Sequence, residues 1–373
     1  MLGSSAPAGK TSAAATKNSV SSKSVGRCMN PPINVRMNLR SGGSARRASI
    51  QPRPVDCTGG YLAQWRYNET SCSFRVNQSW RNWMSNRRLL IAVAHPDDEA
   101  FGYGGLISKY VAQGVEVYLI VSTNGDVGTV SPEFLNGYNS IAELRLAELD
   151  CATEMLGFSK VFKFGYKDSG MMGSETSNDP ACSWQAPREE LARRVVEVIR
   201  EVRPQVVLTF NQYGGYGHPD HIAIQRATAD AFKLAGDTGY VTDGQMPYQP
   251  QKLYYSSPAP FWVRWRIWRA LLGRNNPRKM GRNNDIDIVA ILENIEPTHA
   301  LVDVRDYLAV WDKAAMCHAS QLAGPRGQQP MWFRRLFQGR QGFTRVHPAP
   351  VANRVDEYDL FAGVQLDAPQ ATT

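Results

Sequence analysis

The sequence predicts an α/β protein: a Rossmann-like parallel sheet flanked by helices, completed by a smaller C-terminal α+β portion. Two observations carry this expectation. From Arg88 onward, short apolar runs of strand length alternate with longer stretches of helical periodicity. Such unbroken apolar runs suit strands buried on both faces, as in a parallel sheet. Two of these runs also end in clusters of His and Asp, and open α/β sheets place their ligands at the carboxyl ends of strands.

The elements follow in order. Leu89–Ala94 reads as the first strand, and a helix is expected near 103–113. Strands near 115–121, 160–165 and 205–210 alternate with helices near 140–156, 187–202 and 219–234. Ser140-Ile141-Ala142-Glu143 is a good helix start, because the serine can cap while the glutamate reaches back. Past Gly236, Lys252–Ser256 and Asp285–Leu292 read as further strands. Asp303–Gln321 reads as a helix with Leu308, Trp311, Ala315 and His318 on related faces, and Gly324–Pro330 as a loop. The expected organisation is a basic tail over 1–60, an irregular lead-in over 61–87, one domain over 88–363 and a short tail over 364–373.

Charge is unevenly spread along the 373 residues. Residues 1–55 hold nine Lys/Arg and no Asp or Glu; removing them from totals of 42 and 34 leaves 33 basic against 34 acidic residues. The net +8 therefore belongs to the tail, and the pI near 9.2 is no argument for nucleic-acid binding. The tail is rich in Ser, Ala and Gly and reads as disordered. It has no apolar signal-peptide core, and its acid-free, Ser-rich character equally fits an organelle transit peptide or a misplaced start. No run approaches the length of a membrane span. The six cysteines form no CxxC pair; Cys57 and Cys72 could bridge in an oxidising setting, but reduced thiols in a cytoplasmic protein are the expectation.

The chemistry lies in two clusters. Ala94-His95-Pro96-Asp97-Asp98-Glu99 follows the first strand, and Gly217-His218-Pro219-Asp220-His221 follows Val206–Phe210. His and Asp together supply donors suited to zinc, and a carboxylate left off the metal can take a proton. A strand-end turn with a helix-capping Asp would explain the first cluster alone. It does not explain why three of only six histidines lie in these two motifs.

Both motifs resemble the signatures of the zinc-dependent de-N-acetylases of the PIG-L/LmbE superfamily. Gly165-Tyr166-Lys167-Asp168-Ser169-Gly170-Met171 and Gly214-Gly215-Tyr216-Gly217 look most like its mycothiol deacetylase and mycothiol S-conjugate amidase branch. The resemblance spans roughly residues 88 to 363. It implies Zn2+, or another divalent metal, held by His95, Asp98 and His221, with one position left for water. Asp97 would then be the general base toward metal-bound water. His218 would be the electrophilic partner of the tetrahedral intermediate or the acid for the leaving amine, and Tyr216 would assist at the oxyanion. Asp220 would fix the tautomer of His218, while Glu99 needs no more than a helix-start role. Arg145 and Asp168 match positions that contact the sugar or inositol, Asn124 and Asp126 would shape the same rim, and His318 would line the pocket.

The implied function is hydrolysis of an N-acetyl group on a small N-acetylglucosaminyl-type glycoside, with amidase action on a larger glucosaminyl-inositol thiol conjugate as the rival. A non-enzymatic alternative, a membrane- or polyanion-binding protein, rests on the basic tail and on residues 261–272, where Trp262, Trp265 and Trp268 are spaced three apart among arginines. On a helix these would share a face for peripheral membrane or polyanion contact, unless that face is buried on the core.

Overall fold

The computed structural model describes residues 86–281, 283–322 and 330–366, and the basic tail, most of the lead-in and the Gly-rich loop after Leu322 lie outside them. The strands are β1 (Arg88–Val93), β2 (Glu116–Thr123), β3 (Lys160–Tyr166), β4 (Val206–Thr209), β5 (Lys252–Ser257), β6 (Ala300–Asp303) and β7 (Arg340–His347). The helices are α1 (Asp98–Ala112), α2 (Ile141–Leu156), α3 (Arg188–Val202), α4 (Pro219–Leu234), α5 (Pro260–Leu272), α6 (Ile288–Glu293), α7 (Leu308–Cys317) and α8 (Met331–Phe337). None of the described helices is long and apolar enough to cross a membrane.

The seven strands form one sheet in the order β3-β2-β1-β4-β5-β7-β6. The first five are parallel, whereas β7 runs antiparallel to both β5 and β6. The sheet is therefore mixed: the expected parallel part is β3 to β5, and the antiparallel pairings lie in the C-terminal portion expected to be α+β. The C-terminal strands extend the same sheet instead of standing apart from it. In β1, Leu89 to Val93 are fully buried, each such aliphatic side chain contributing about 1.5–3 kcal/mol relative to exposure. This is why the run carries no polar alternation. Chain order reverses at β1, which lies between β2 and β4, and ligand sites form at such switch points.

Local chemistry sets the element ends. Ser140 Oγ accepts the Glu143 N–H at 3.1 Å and Glu143 Oε2 accepts the Asn139 N–H at 2.7 Å, closing the N-terminus of α2. Gly157, at φ 80°, closes its C-terminus in the left-handed region. The strand expected at Asp285–Leu292 is instead helix α6. Asp287 Oδ1 accepts the N–H groups of both Val289 and Ala290 at 2.9 Å, and that N-cap outweighs the β-branched run. The helix expected over Asp303–Gln321 is shorter: it begins at Leu308 after a 3-10 turn and ends at Cys317. Cys317 is bridged to Cys151 on α2, with Cα atoms 5.8 Å apart, so the expectation of reduced thiols does not hold for this pair. No sequence motif flags it, because its partners lie 166 residues apart.

Candidate active site

The ends of β1 and β4 bring the two motifs together. His95 and Asp98 follow β1, and His218 and His221 stand at the start of α4 after β4. His221 Nδ1 lies 3.1 Å from the carbonyl of Gly214. A carbonyl only accepts, so Nδ1 carries the proton and Nε2 presents its lone pair. His95 Nε2 faces Asp220 Oδ2 at 3.2 Å and Asp168 Oδ1 at 3.5 Å. These carboxylates call for a proton on that nitrogen, which turns the Nδ1 lone pair toward His221.

The result is two imidazole nitrogens, His95 Nδ1 and His221 Nε2, facing each other 3.1 Å apart. Asp98 completes the group, with Oδ1 3.4 Å from His221 Nε2 and Oδ2 3.6 Å from His95 Nδ1. Facing lone pairs repel unless a cation or proton lies between them. Four-coordinate zinc with bonds near 2 Å separates neighbouring donors by about 3.3 Å. The donor set thus fits a divalent metal ion. Proximity alone also groups His95 with His218 and His221, and His95 with Asp168, His218 and Asp220. Asp220, however, already accepts from Ser169 N at 2.9 Å, Ser169 Oγ at 2.5 Å and Ser183 Oγ at 2.7 Å. Its oxygens are committed to holding the cluster, not to holding an ion.

Asp97 is held by several contacts. Its φ of 130° lies in the region that favours glycine, a conformation that persists only where its surroundings enforce it. Glu99 Oε2 accepts its N–H at 3.0 Å and Phe101 N–H donates to its carbonyl at 2.8 Å. Arg145 donates to Asp97 Oδ2 at 3.0 Å, to the carbonyl of Gly125 at 3.2 Å and to that of Pro96. Gly125 and Gly128 are required beside this guanidinium, since a Cβ on Gly128 would lie 2.5 Å from Arg145 Nη1.

Electrostatics separate the roles. Burial pushes the Asp97 carboxyl up to about 6, with Arg145 opposing the rise and Asp98 adding to it. Burial also opposes ionisation of Asp98, but the charges of His221 and His95 and hydrogen bonds from His95 outweigh it and hold this carboxyl far below the usual range. Burial, then the charges of His95 and His221, depress His218. Burial likewise depresses His221, to about 4. For His95 burial is overcome by Asp168, Asp220 and Asp98, which raise it.

Several expected roles change with the geometry. Arg145 is buried and occupied by the Asp97 turn, not presented to a sugar. Asp168 is also buried; its Oδ1 accepts from Gly170 N at 2.8 Å and lies 3.8 Å from His218 Nε2. Asp220 orients His95, while its backbone N–H donates to His218 Nδ1 at 3.3 Å. His318 is fully buried and bonded to Glu99 Oε1 at 2.7 Å, so it supports the motif from behind instead of lining an open pocket. Glu99, also fully buried, thereby links His318 to the Asp97 backbone, a task beyond a helix-start charge. Asn124 and Asp126 brace the rim, donating to Gly165 O at 3.3 Å and accepting from Asp168 N at 2.8 Å respectively. Phe210, which sequence reading missed, stacks on His221 with centroids 3.9 Å apart; the last position of an apolar strand motif was its only signal.

Tyr216 sits between Gly215 and Gly217, in a turn where Gly214, Gly215 and Gly217 have φ of 69°, 72° and 89°. Its ring meets His221 edge-on at 4.9 Å and His218 at 5.9 Å. Burial pushes its phenol up, so it remains a proton-bearing donor.

Comparison with known proteins accords with this arrangement. The family model described as PIG-L, GlcNAc-PI de-N-acetylase, matches residues 90–232, which include both motifs. A 1D-myo-inositol 2-acetamido-2-deoxy-alpha-D-glucopyranoside deacetylase of Thermobifida fusca is 35% identical over 298 residues, covering 75% of this chain and 100% of the relative. The protein of that name in Rhodococcus jostii is 32% identical, covering 75% of this chain and 99% of the relative. Among solved structures, the N,N'-diacetylchitobiose deacetylase from Pyrococcus horikoshii shares the fold, with TM-score 0.50 and 18% identity over 72% of this chain and 88% of that one. With the signature motifs intact at the sheet's switch point and relatives matched over their full length, this chain belongs to the PIG-L family of de-N-acetylases.

Proposed function

We propose that this protein is a metal-dependent hydrolase that removes the acetyl group from an N-acetylglucosaminyl-inositol-type glycoside. The observation that carries the reading is the pairing of a cation-demanding donor set with a buried, Arg-clamped carboxylate, Asp97, next to Asp98 in sequence. His95 Nδ1, His221 Nε2 and Asp98 would hold the ion, and the nitrogen-oxygen set suits zinc. A bound divalent ion supplies Lewis-acid polarisation of the amide carbonyl and activates water for attack. The remaining steps fall to the chain's own groups.

Asp97, raised toward neutrality, takes a proton from the attacking water as the C–O bond forms. His218 accepts the Asp220 N–H at Nδ1 and is depressed in pKa, so it acts as a neutral imidazole bearing hydrogen on Nε2. In that state it is a hydrogen-bond donor to the carbonyl oxygen that gains charge, not the source of a full proton. Tyr216 supplies a second donor to the same oxygen. Asp97 then returns its proton to the amine as the C–N bond breaks, giving acetate and a free amino sugar. The Asp220 N–H contact at Nδ1 and the depressed pKa support this choice between the two roles considered for His218.

The inositol glycoside is the substrate suggested by the names of the 35% and 32% identical relatives. The test is acetate release from N-acetylglucosaminyl inositol by purified protein, measured beside cleavage of a larger acylated thiol conjugate of the same sugar. Acetate release at a kcat/KM well above that for the conjugate is expected. Preference for the conjugate would make the protein an amidase, and no cleavage of either by metal-loaded protein would remove the reading.

A further inference from the structure

Helix α5 turns its most apolar side outward. Its buried residues are Val263 and Ala270, whereas Phe261, Trp268 and Leu272 are 63%, 58% and 70% exposed. With half-buried Trp265 these occupy positions i, i+4, i+7 and i+11, the spacing of a single helical stripe. The tryptophans at steps of three do not share one face, because each step drifts by about 60°. Trp262 turns inward and donates Nε1–H to the carbonyl of Phe337 at 3.0 Å, while Trp268 reaches solvent. Neither the core-facing aromatic face nor a single tryptophan face is what the chain builds.

The contact of Trp262 with Phe337 sets α8 against α5, and α8 carries Trp332 and Leu336, 68% and 69% exposed. Arginines flank the stripe: Arg264 on one side and Arg269 on the other, the latter lying 4.9 Å over the Trp265 ring. From Pro258 to Asn284 the sequence holds seven Lys/Arg and no Asp or Glu. Arg264, Arg266 and Arg274 are exposed and form no ion pair among the described residues.

We propose that α5 and α8 form a docking surface for an anionic phospholipid bilayer, with α5 lying in the interfacial plane. Apolar residues on one stripe with cations at its borders are the composition that interfacial helices use: rings enter the acyl boundary while guanidinium groups remain among phosphates. Charge complementarity decides among occupants. A second copy would bring the same cationic face against this one, and residues 1–55, with nine Lys/Arg and no acid, carry the same sign. A soluble polyanion would answer the arginines but leave Phe261, Trp268 and Leu272 in water. Helix α6 packs against both α5 and the Gly214–Gly217 turn that carries Tyr216.

Sedimentation of the full-length protein with phosphatidylcholine vesicles, with and without about one third phosphatidylserine, tests this. The protein should pellet with the anionic vesicles alone. The exposed-residue variant Phe261→Ser/Trp268→Ser/Leu272→Ser should lose at least about tenfold in partitioning, with its melting temperature unchanged. Should that variant fold poorly, Arg264→Gln/Arg269→Gln leaves the apolar stripe intact and should weaken partitioning by about ten- to thirtyfold. Undiminished vesicle binding by the well-folded variants would assign the attraction to the basic tail and overturn the proposal. So would wild-type protein that ignores anionic vesicles, or one that forms dimers which the serine variant abolishes.

Discussion

Replacing Arg145 with Met tests the link between fold and chemistry most directly, because it removes the clamp while leaving every proposed metal donor in place. The guanidinium lies 3.0 Å from Asp97 Oδ2. At an effective dielectric near 20 that separation is worth at most about 5.5 kcal/mol before desolvation is deducted. An arginine neighbour commonly lowers a carboxyl by about one to three units. Asp97 therefore titrates higher once Arg145 is gone. In the intact protein its pKa is raised only to about 6, with Arg145 already opposing the rise. The carboxylate, the form that can accept a proton, prevails above that value. A bound cation would lower it further, so the acid limb of kcat/KM should lie at or below about pH 6. In Arg145→Met the limb should move up by about one to three units, with activity recovering in alkaline buffer. Two carbonyl acceptors and a buried carboxylate also lose their donor, at a cost of about 3–5 kcal/mol, or roughly 10 °C in Tm. The assay is a pH series of kcat/KM on protein of measured metal content. An acid limb that stays in place, with metal retained, would refute the assignment of Asp97 as the Arg-tuned base.

Three further outcomes follow from the site. His221→Ala should lose the metal on dialysis, measured by elemental analysis, whereas Asp97→Asn should keep it and lose about 10²–10⁴ in turnover; metal loss in the second variant would exchange the roles of Asp97 and Asp98. Tyr216→Phe should lower kcat roughly 10²-fold with little change in KM, and normal turnover with reduced Tm would make the tyrosine a packing residue. Reducing the Cys151–Cys317 bridge, which encloses a span of 166 residues, should lower stability by at most about 5 kcal/mol, read as a fall in Tm with thiol reductant. No fall would mean that the bridge does not form in solution.

The parallel half of the sheet was legible because its strands are buried on both faces and advertise themselves as unbroken apolar runs. The C-terminal strands were not. β6 has only four residues and β7, Arg-Gln-Gly-Phe-Thr-Arg-Val-His, mixes charge with apolar positions because it is only partly covered. The helix α6 hid behind isoleucines and was betrayed only by its Asp287 cap. The residues proposed as metal donors were legible because they stand in two short local motifs that carry the family resemblance. Which way a side chain points is a tertiary property, however. Arg145 turns inward because Gly125 and Gly128 leave room for its guanidinium, and Glu99 meets His318 across 219 residues of chain. No local pattern encodes either contact.

His95 and His221 are 126 residues apart in the chain, yet their nitrogens come within 3.1 Å because β4 aligns directly on β1. Until that strand pairs, the chain offers a cation two unrelated half-sites. Closing so long a loop costs entropy before any contact repays it, and long-range parallel pairing is intrinsically slow. During synthesis, the first half-site must wait for the second to emerge before both can cooperate. A metal ion that binds only the paired arrangement draws the population toward it by mass action. Refolding yield should therefore rise with added divalent cation at the step where β4 joins β1, a role in assembly separate from the proposed role in turnover.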